Sequence, residues 1–359
     1  MSTGNWRSMN EQELADLFAR LGAPDPQAWA HSQLADGIPQ LARHLFARQA
    51  LRNVIRPDDR NWMSEMRPKH PDDPGGEIGP AIDRLLAAGA RIEDVTIIVR
   101  TMQRRFVARF CALLDDPGNL EREVGDIRWL LFLVDQDDAP IAPMPYLLGS
   151  LLAIDPALSD LLPSGRSLPY LGGRLKSSER PSSGSARSAP ADAKWRSMDE
   201  QKLAEVFRKL GAREPESWAR SQIREGIPQL ARYLFLRQAW RLVVNPEDRN
   251  WVSEISRSIE IGEGAEIRQA IERIVARCAR ISDLTTVIRV MQWTTLARLI
   301  LLLDQPWDLD DEITDDDIWW GLAVVDENDN PIAPLDTLTE SVLDTDPTGR
   351  EMRPLPASG

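Results

Sequence analysis

Arginine, glutamine and aspartate recur in this chain at positions that suit gripping an anion or moving a proton. Gln40, Arg43, Arg48, Gln49 and Arg52 lie in one stretch, and Gln229, Arg232, Arg237, Gln238 and Arg241 repeat them farther on. Asp59-Arg60-Asn61-Trp62 follows the first set and Asp248-Arg249-Asn250-Trp251 the second. An Arg fork holds a carboxylate or phosphate through paired N–H donors, and an aspartate beside it can act as a base. Buried together, the same groups form instead a hydrogen-bond network that fixes helices to one another. On a helix turning about 100° per residue, Gln49 falls in the middle of the apolar face and Arg52 at its edge. Gln40 and Arg43 fall on another side, where surface contacts are made. Asp59, Asp94, Asp126 and Asp135, matched by Asp248, Asp283, Asp317 and Asp326, are the available carboxylate partners. In the Asp-Arg-Asn-Trp block the Asp caps a short helix that the Trp anchors, or the Arg beside the Trp forms an interface hot spot. Both readings fit the residues.

Other chemistries find little footing. The three histidines are His31, His44 and His70; His31 and His44 are replaced by Arg220 and Tyr233 in the second set, which argues against a shared histidine base or metal ligand. Cys111 and Cys278 do not correspond to each other, since Cys111 matches Ile300 and Cys278 matches Gly89, and they read as buried apolar thiols. There is no phosphate loop with its lysine and no Gly-x-Ser-x-Gly elbow. The acidic stretches Asp308 to Asp317 and Asp326 to Asn330 lack the glycine and terminal glutamate of a calcium-binding EF-hand loop, and read as solvated loop charge. No cofactor and no metal is expected. Trp307, Trp319 and Trp320 flank the first of these stretches, and indoles beside carboxylates suit a basic protein surface.

The recurrence is general. From Trp6 to Trp62, laid on Trp195 to Trp251, roughly 36 of the 57 positions are identical without a gap. The match continues through Arg100, Met102 and Gln103 against Arg289, Met291 and Gln292. It resumes after a short shift at Pro140-Ile141-Ala142-Pro143 against Pro331-Ile332-Ala333-Pro334. Two homologous tandem domains follow, at residues 1–158 and 195–350, with a Ser, Pro and Gly-rich linker at 159–194 and a tail at 351–359.

Within each repeat the patterning predicts a mainly helical fold with one small β-hairpin. Ser8-Met9-Asn10-Glu11 reads as a capping box opening a helix that ends at Leu21 and Gly22. Pro26 opens a second helix carrying Trp29, and Ile38 to Ile55 forms a third. Asp94 to Leu114 is the central helix. Trp129 to Val134 and Trp320 to Val325 are short apolar strands, each followed by a polar turn.

A net charge of -13 on 359 residues argues against general nucleic-acid binding, because phosphate neutralisation needs clustered Lys and Arg. Two cysteines suit a reducing cytoplasm, and no secretion signal or run approaching the roughly 18 apolar residues of a membrane span stands out. Arg-rich composition suits a bacterial source. The functional expectation is a non-enzymatic interaction module for a basic protein partner, of the inhibitor or immunity type. Asp59, Arg60, Trp62, Asp248, Arg249, Trp251, Trp319 and Trp320 are further candidate binding residues, the Arg-Trp pairs as interface contacts. The alternative is an enzyme or small anionic-ligand binder using the repeated Arg, Gln and Asp set.

Overall fold

The computed structural model describes residues 6–70, 72–116, 124–125, 127–135, 137–162, 195, 197–248, 250–258, 263–277, 280–305 and 318–354. Of the linker read at 159–194, residues 163–194 lie outside them, as do Asp126, Arg249, Cys278, Trp307 and the run from Asp308 to Asp317, while residues 159–161 belong to a 3-10 turn that buries Leu161.

The protein is mainly helical, with one small antiparallel sheet. In the first half come α1 (Glu11–Arg20), α2 (Pro26–Ala35), α3 (Gln40–Arg52), α4 (Trp62–Glu65), α5 (Ile78–Ala87) and α6 (Ile92–Asp115). The strands β1 (Arg128–Val134) and β2 (Pro140–Pro143) follow, then α7 (Leu147–Ile154) and a 3-10 turn, Pro156–Leu161. The second half runs in the same order: α8 (Glu200–Lys209), α9 (Pro215–Glu225), α10 (Gln229–Trp240), α11 (Trp251–Ser258), α12 (Glu263–Ala276), α13 (Ile281–Asp304), β3 (Trp319–Val325), β4 (Pro331–Pro334) and α14 (Leu338–Ser341).

Local chemistry sets the helix ends. Trp6–Ser8 is a 3-10 turn, so the capping box falls two residues later than the sequence suggested. Asn10 Oδ1 accepts from Glu13 N–H at 3.1 Å, and Glu13 Oε2 accepts from Asn10 N–H at 2.9 Å. Asp199 plays the Asn10 role in the second half, accepting from Lys202 N–H at 2.8 Å. Gly22 and Gly211 take the left-handed conformation, at φ 76° and 88°, that ends α1 and α8. Pro26 and Pro215 sit at the first helical positions of α2 and α9.

The halves close on each other. The sheet order is β2-β1-β3-β4, so its centre is a pairing between the two halves. Leu131 lies opposite Leu322, which occupies the equivalent place in the second half, and the flanking pairs Trp129–Val324 and Leu133–Trp320 interchange about that point. This register is that of a pseudo-two-fold axis, the geometry of an isologous interface. The same relation governs the rings: Trp129 meets Phe235 edge-on at 5.4 Å and Trp320 meets Phe46 edge-on at 5.4 Å. Arg84 of α5 pairs with Asp283 of α13 at 2.7 Å, and Arg273 of α12 pairs with Asp94 of α6 at 2.6 Å. Side chains from both halves form one continuous hydrophobic core.

Both faces of β1 and β3 are buried. Trp129, Leu131 and Leu133 with Trp320, Leu322 and Val324 join the main core, while Leu130, Phe132 and Val134 with Ala323 and Val325 form a second cluster. That is why these strands read as unbroken apolar runs instead of alternating ones. Among the described residues α13 alone is long and apolar enough to span a membrane by length and composition, although polar residues interrupt it. In its most apolar window 61% is buried inside the fold, as in a core helix.

Candidate functional site

The Arg and Gln set of α3 is turned into the protein. Residues Leu41 to Ala47 of α3 are buried without a break, so the helix has no polar face there. Arg43, expected at the surface, is 7% exposed. Its Nη2 donates to the Tyr146 carbonyl at 2.8 Å, and its guanidinium lies 5.7 Å from the centre of the Tyr146 ring. Burial lowers the Arg43 pKa to about 10, with Asp115 pulling the other way. Arg232 repeats the contact on the Thr337 carbonyl and also reaches Ser341 Oγ at 3.3 Å. Tyr146 and Thr337 are both left-handed, at φ 65° and 51°, so each arginine holds the carbonyl of a strained residue.

A second repeated device meets the first. Asp115, at the end of α6, accepts from Leu147 and Leu148 N–H at 2.9 and 3.1 Å, capping the start of α7. Asp304 does the same for Leu338 and Thr339 at 3.1 and 2.8 Å. Burial raises the Asp115 pKa to about 6, against the hydrogen bonds and Arg43, and it raises that of Asp304 too. The sequence reading missed these carboxylates, although Asp115 and Asp304 match across the halves as the singled-out ones do.

The remaining members separate. Gln49 is buried, Arg48, Arg237 and Gln238 are half-buried, and Arg52 and Arg241 are exposed. Arg52 and Arg241 therefore do not belong to a buried network, contrary to expectation; Arg241 donates to Gln238 Oε1 at 3.2 Å on the surface. Gln40 and Gln229 donate to Ser32 and Ser221 Oγ at 3.1 and 2.8 Å, tying α3 and α10 to the preceding helices. Four of the proposed carboxylate partners have other roles among the described residues. Asp94 and Asp283 serve the ion pairs between halves, and Asp135 and Asp326 close the hairpin turns by accepting from backbone N–H groups. Gln103 and Gln292, central on α6 and α13, accept from Ile55 and Val244 N–H at 3.0 and 2.8 Å.

In the Asp-Arg-Asn-Trp block the architectural contacts are plain. Asp59 Oδ1 accepts from Asn61 and Trp62 N–H at 2.8 and 3.1 Å, and Asp248 Oδ1 accepts from Asn250 N–H at 2.7 Å. Trp62 and Trp251 are buried, each donating its indole N–H to Thr96 or Thr285 Oγ1 at 2.9 Å. Arg60 is exposed. Trp320 is buried, its indole N–H on the Leu302 carbonyl at 2.8 Å, so it is not a surface contact; Trp319 is half-buried beside the second cluster.

His44 and its counterpart Tyr233 are built into aromatic packing. His44 sits in a ring triad with Phe18 and Trp29 and bonds the Leu21 carbonyl at 3.2 Å. Tyr233 takes its place in the second triad with Phe207 and Trp218, and its hydroxyl donates to the Leu210 carbonyl at 3.4 Å. Burial lowers the His44 pKa and pushes the Cys111 thiol well up. Among the described residues no cluster of His, Cys, Asp and Glu could hold a metal ion. An open cleft of about 350 Å³ between α8 and α9 is lined by Glu200, Gln201, Ala204, Glu205, Arg208 and Glu216, none of which belongs to the repeated Arg, Gln and Asp set.

The fold and these contacts define a mainly helical protein with a small four-stranded antiparallel sheet whose halves meet about a pseudo-two-fold. Comparison with protein-family models, with curated proteins and with solved structures gave no match.

Proposed function

We propose that the chain is a non-enzymatic interaction module, built by duplication of one helical unit, that binds a basic protein partner in the manner of an inhibitor or immunity protein. The observation that carries the reading is the direction of the repeated polar groups. Among the described residues, Arg43, Arg232, Gln103, Gln292, Asp115 and Asp304 hydrogen-bond to backbone and Asp94 and Asp283 to Arg273 and Arg84, and none of them lines the open cleft between α8 and α9. Recognition then falls to the outer surface. There, Leu34 of α2 and Ile223 of α9, at equivalent positions, are 50% and 48% exposed, while the residues beside them change from Ala35-Asp36 to Arg224-Glu225. Two equivalent apolar positions on one body permit a partner to be engaged twice, and avidity follows without new contacts.

The test is affinity capture with the tagged full chain, read by mass spectrometry, against a Leu34→Ser and Ile223→Ser double variant, which removes the apolar contacts without changing charge. The reading expects one basic partner, depleted in the double variant and released by salt. Capture of nothing specific, or capture indifferent to both substitutions, would overturn it. One observation favours a small-anion site as the second reading. Arg43 Nε and Arg232 Nε are buried and have no hydrogen-bond partner among the described residues. Titration with inorganic phosphate separates the two readings, because only an anion site raises the melting temperature in wild type and not in an Arg43→Met and Arg232→Met double variant.

A further inference from the structure

The two halves end differently. After α7 the first half continues into the 3-10 turn Pro156–Leu161, which buries Leu158 and Leu161 and touches α6 and α7 of its own half and α11 and α12 of the second. It carries no left-handed residue. Asp155, at its start, accepts from Arg104 Nε at 3.0 Å and from Nη2 at 2.7 Å. Asp346 stands at the equivalent place in the second half, but the segment after it is wound tightly and under strain. Gly349, Glu351 and Met352 are all left-handed, at φ 74°, 51° and 58°, and two of these are residues for which that conformation is costly.

What over-determines this loop is the Asp346 carboxylate, whose side chain is fully buried. Oδ1 accepts from Thr348 N–H at 3.0 Å and from Arg289 Nη2 at 3.2 Å. Oδ2 accepts from Thr348 Oγ1 at 2.8 Å and from Met352 N–H at 3.0 Å. Met352 is thereby driven into the core, 6% exposed, and its carbonyl accepts from Gly75 N–H of the first half at 2.8 Å. Arg350 crosses the same boundary to Glu77, at 3.0 Å. Gly75 is itself left-handed at φ 81°, and a Cβ on it would sit 3.0 Å from Val290 Cγ1, so the receiving loop fits closely.

We propose that residues 346–353 form a latch: a strained loop that clasps the second half onto the 73–79 region of the first, and the place where the molecule opens before the Pro156–Leu161 side does. Strain concentrated in one of two otherwise equivalent crossings makes the opening one-sided. Its polar contacts with the first half are one backbone hydrogen bond at Gly75 and the half-buried Arg350–Glu77 pair, whereas the opposite crossing buries Leu158 and Leu161.

Hydrogen–deuterium exchange of the full chain tests the latch, with peptides covering 73–79, 346–353 and 155–161 followed separately. Arg350→Ala is expected to speed exchange at 73–79 and 346–353 by about tenfold while leaving 155–161 as in wild type. Glu351 also pairs with Arg213 at 3.3 Å and with Arg353 at 3.6 Å, so Glu351→Gly is compared with Glu351→Ala, which loses the same pairs and keeps a side chain at the left-handed position; the glycine variant is expected to exchange more slowly than the alanine variant at the same two peptides. Equal acceleration at 155–161 in Arg350→Ala, or a Glu351→Gly chain that exchanges at 73–79 as fast as Glu351→Ala or faster, would overturn the proposal. Should Arg350→Ala lower the overall stability, the order expected of Glu351→Gly and Glu351→Ala still decides the matter.

Discussion

At Thr337 a β-branched residue sits at φ 51°, exposed, with its carbonyl held by Arg232. Since the side chain makes no hydrogen bond across that turn, Thr337→Gly should stabilise the protein by about 1 kcal/mol through relief of the left-handed conformation, seen as a raised melting temperature. A fall in melting temperature would mean that the Thr side chain is needed. The pH dependence lies at Asp115 and His44. Asp115 has a folded pKa of about 6, above its ordinary value, so the folded state binds more protons than the unfolded one. Its stability contribution is complete below the ordinary carboxylate pKa and is lost as pH rises through about 6. His44 is shifted down, and its neutral ring opposes this by destabilising the fold as pH falls through the ordinary imidazole range. Replacing His44 with the tyrosine found at its counterpart leaves the raised carboxylates Asp115 and Asp304. In His44→Tyr, urea unfolding at pH 5 should show a higher midpoint than at pH 7, and adding Asp115→Asn should make that slope shallower. No change in slope would place the titration elsewhere.

The elements separate what the sequence reveals from what it conceals. Helices with capping residues, an entering proline or a closing glycine, such as α1 and α2, are legible to within a few residues. So are α6 and β1, because their apolar pattern is long or unbroken. The short helix α7 carries no such punctuation and escapes a pattern search, while α5 goes unread although Gly89, left-handed at φ 86°, closes it as Gly22 closes α1. Arg43 was assigned to the surface because a helical wheel assumes one buried face, and α3 is surrounded on all sides over its middle turns. Pairing of β1 with β3 is invisible locally, since each strand's apolar run is equally compatible with a self-contained hairpin; only the symmetric register tells which half covers which. The Pro-Ile-Ala-Pro repeat also gains a reason here. β2 and β4 are the sheet's outer strands, and prolines at both ends remove donors from an edge that would otherwise template pairing with another chain. Replacing Pro140 and Pro331 together by Thr should therefore raise self-association in light scattering. An unchanged monodisperse profile would show that the edges are guarded by something else.

Across the molecule, the repeated residues are consumed in making one body out of two similar halves. The ring pairs Trp129–Phe235 and Phe46–Trp320, the ion pairs Arg84–Asp283 and Arg273–Asp94, and the central strand pairing all cross the boundary, and each has its mirror. Trp320→Ala, which removes a buried ring together with its contact to Phe46, should cost about 3–5 kcal/mol, measured by urea unfolding. A loss confined to the second half would mean that the boundary is not cooperative. The most direct test of the whole account is equilibrium urea unfolding of the full chain, read by pulsed hydrogen exchange at peptides from α3 and from α10. The account predicts that both peptides lose protection at one common midpoint, and that Trp320→Ala moves the two together. Two separate midpoints, with α3 unmoved by the substitution in β3, would contradict it and return the chain to a pair of independent domains.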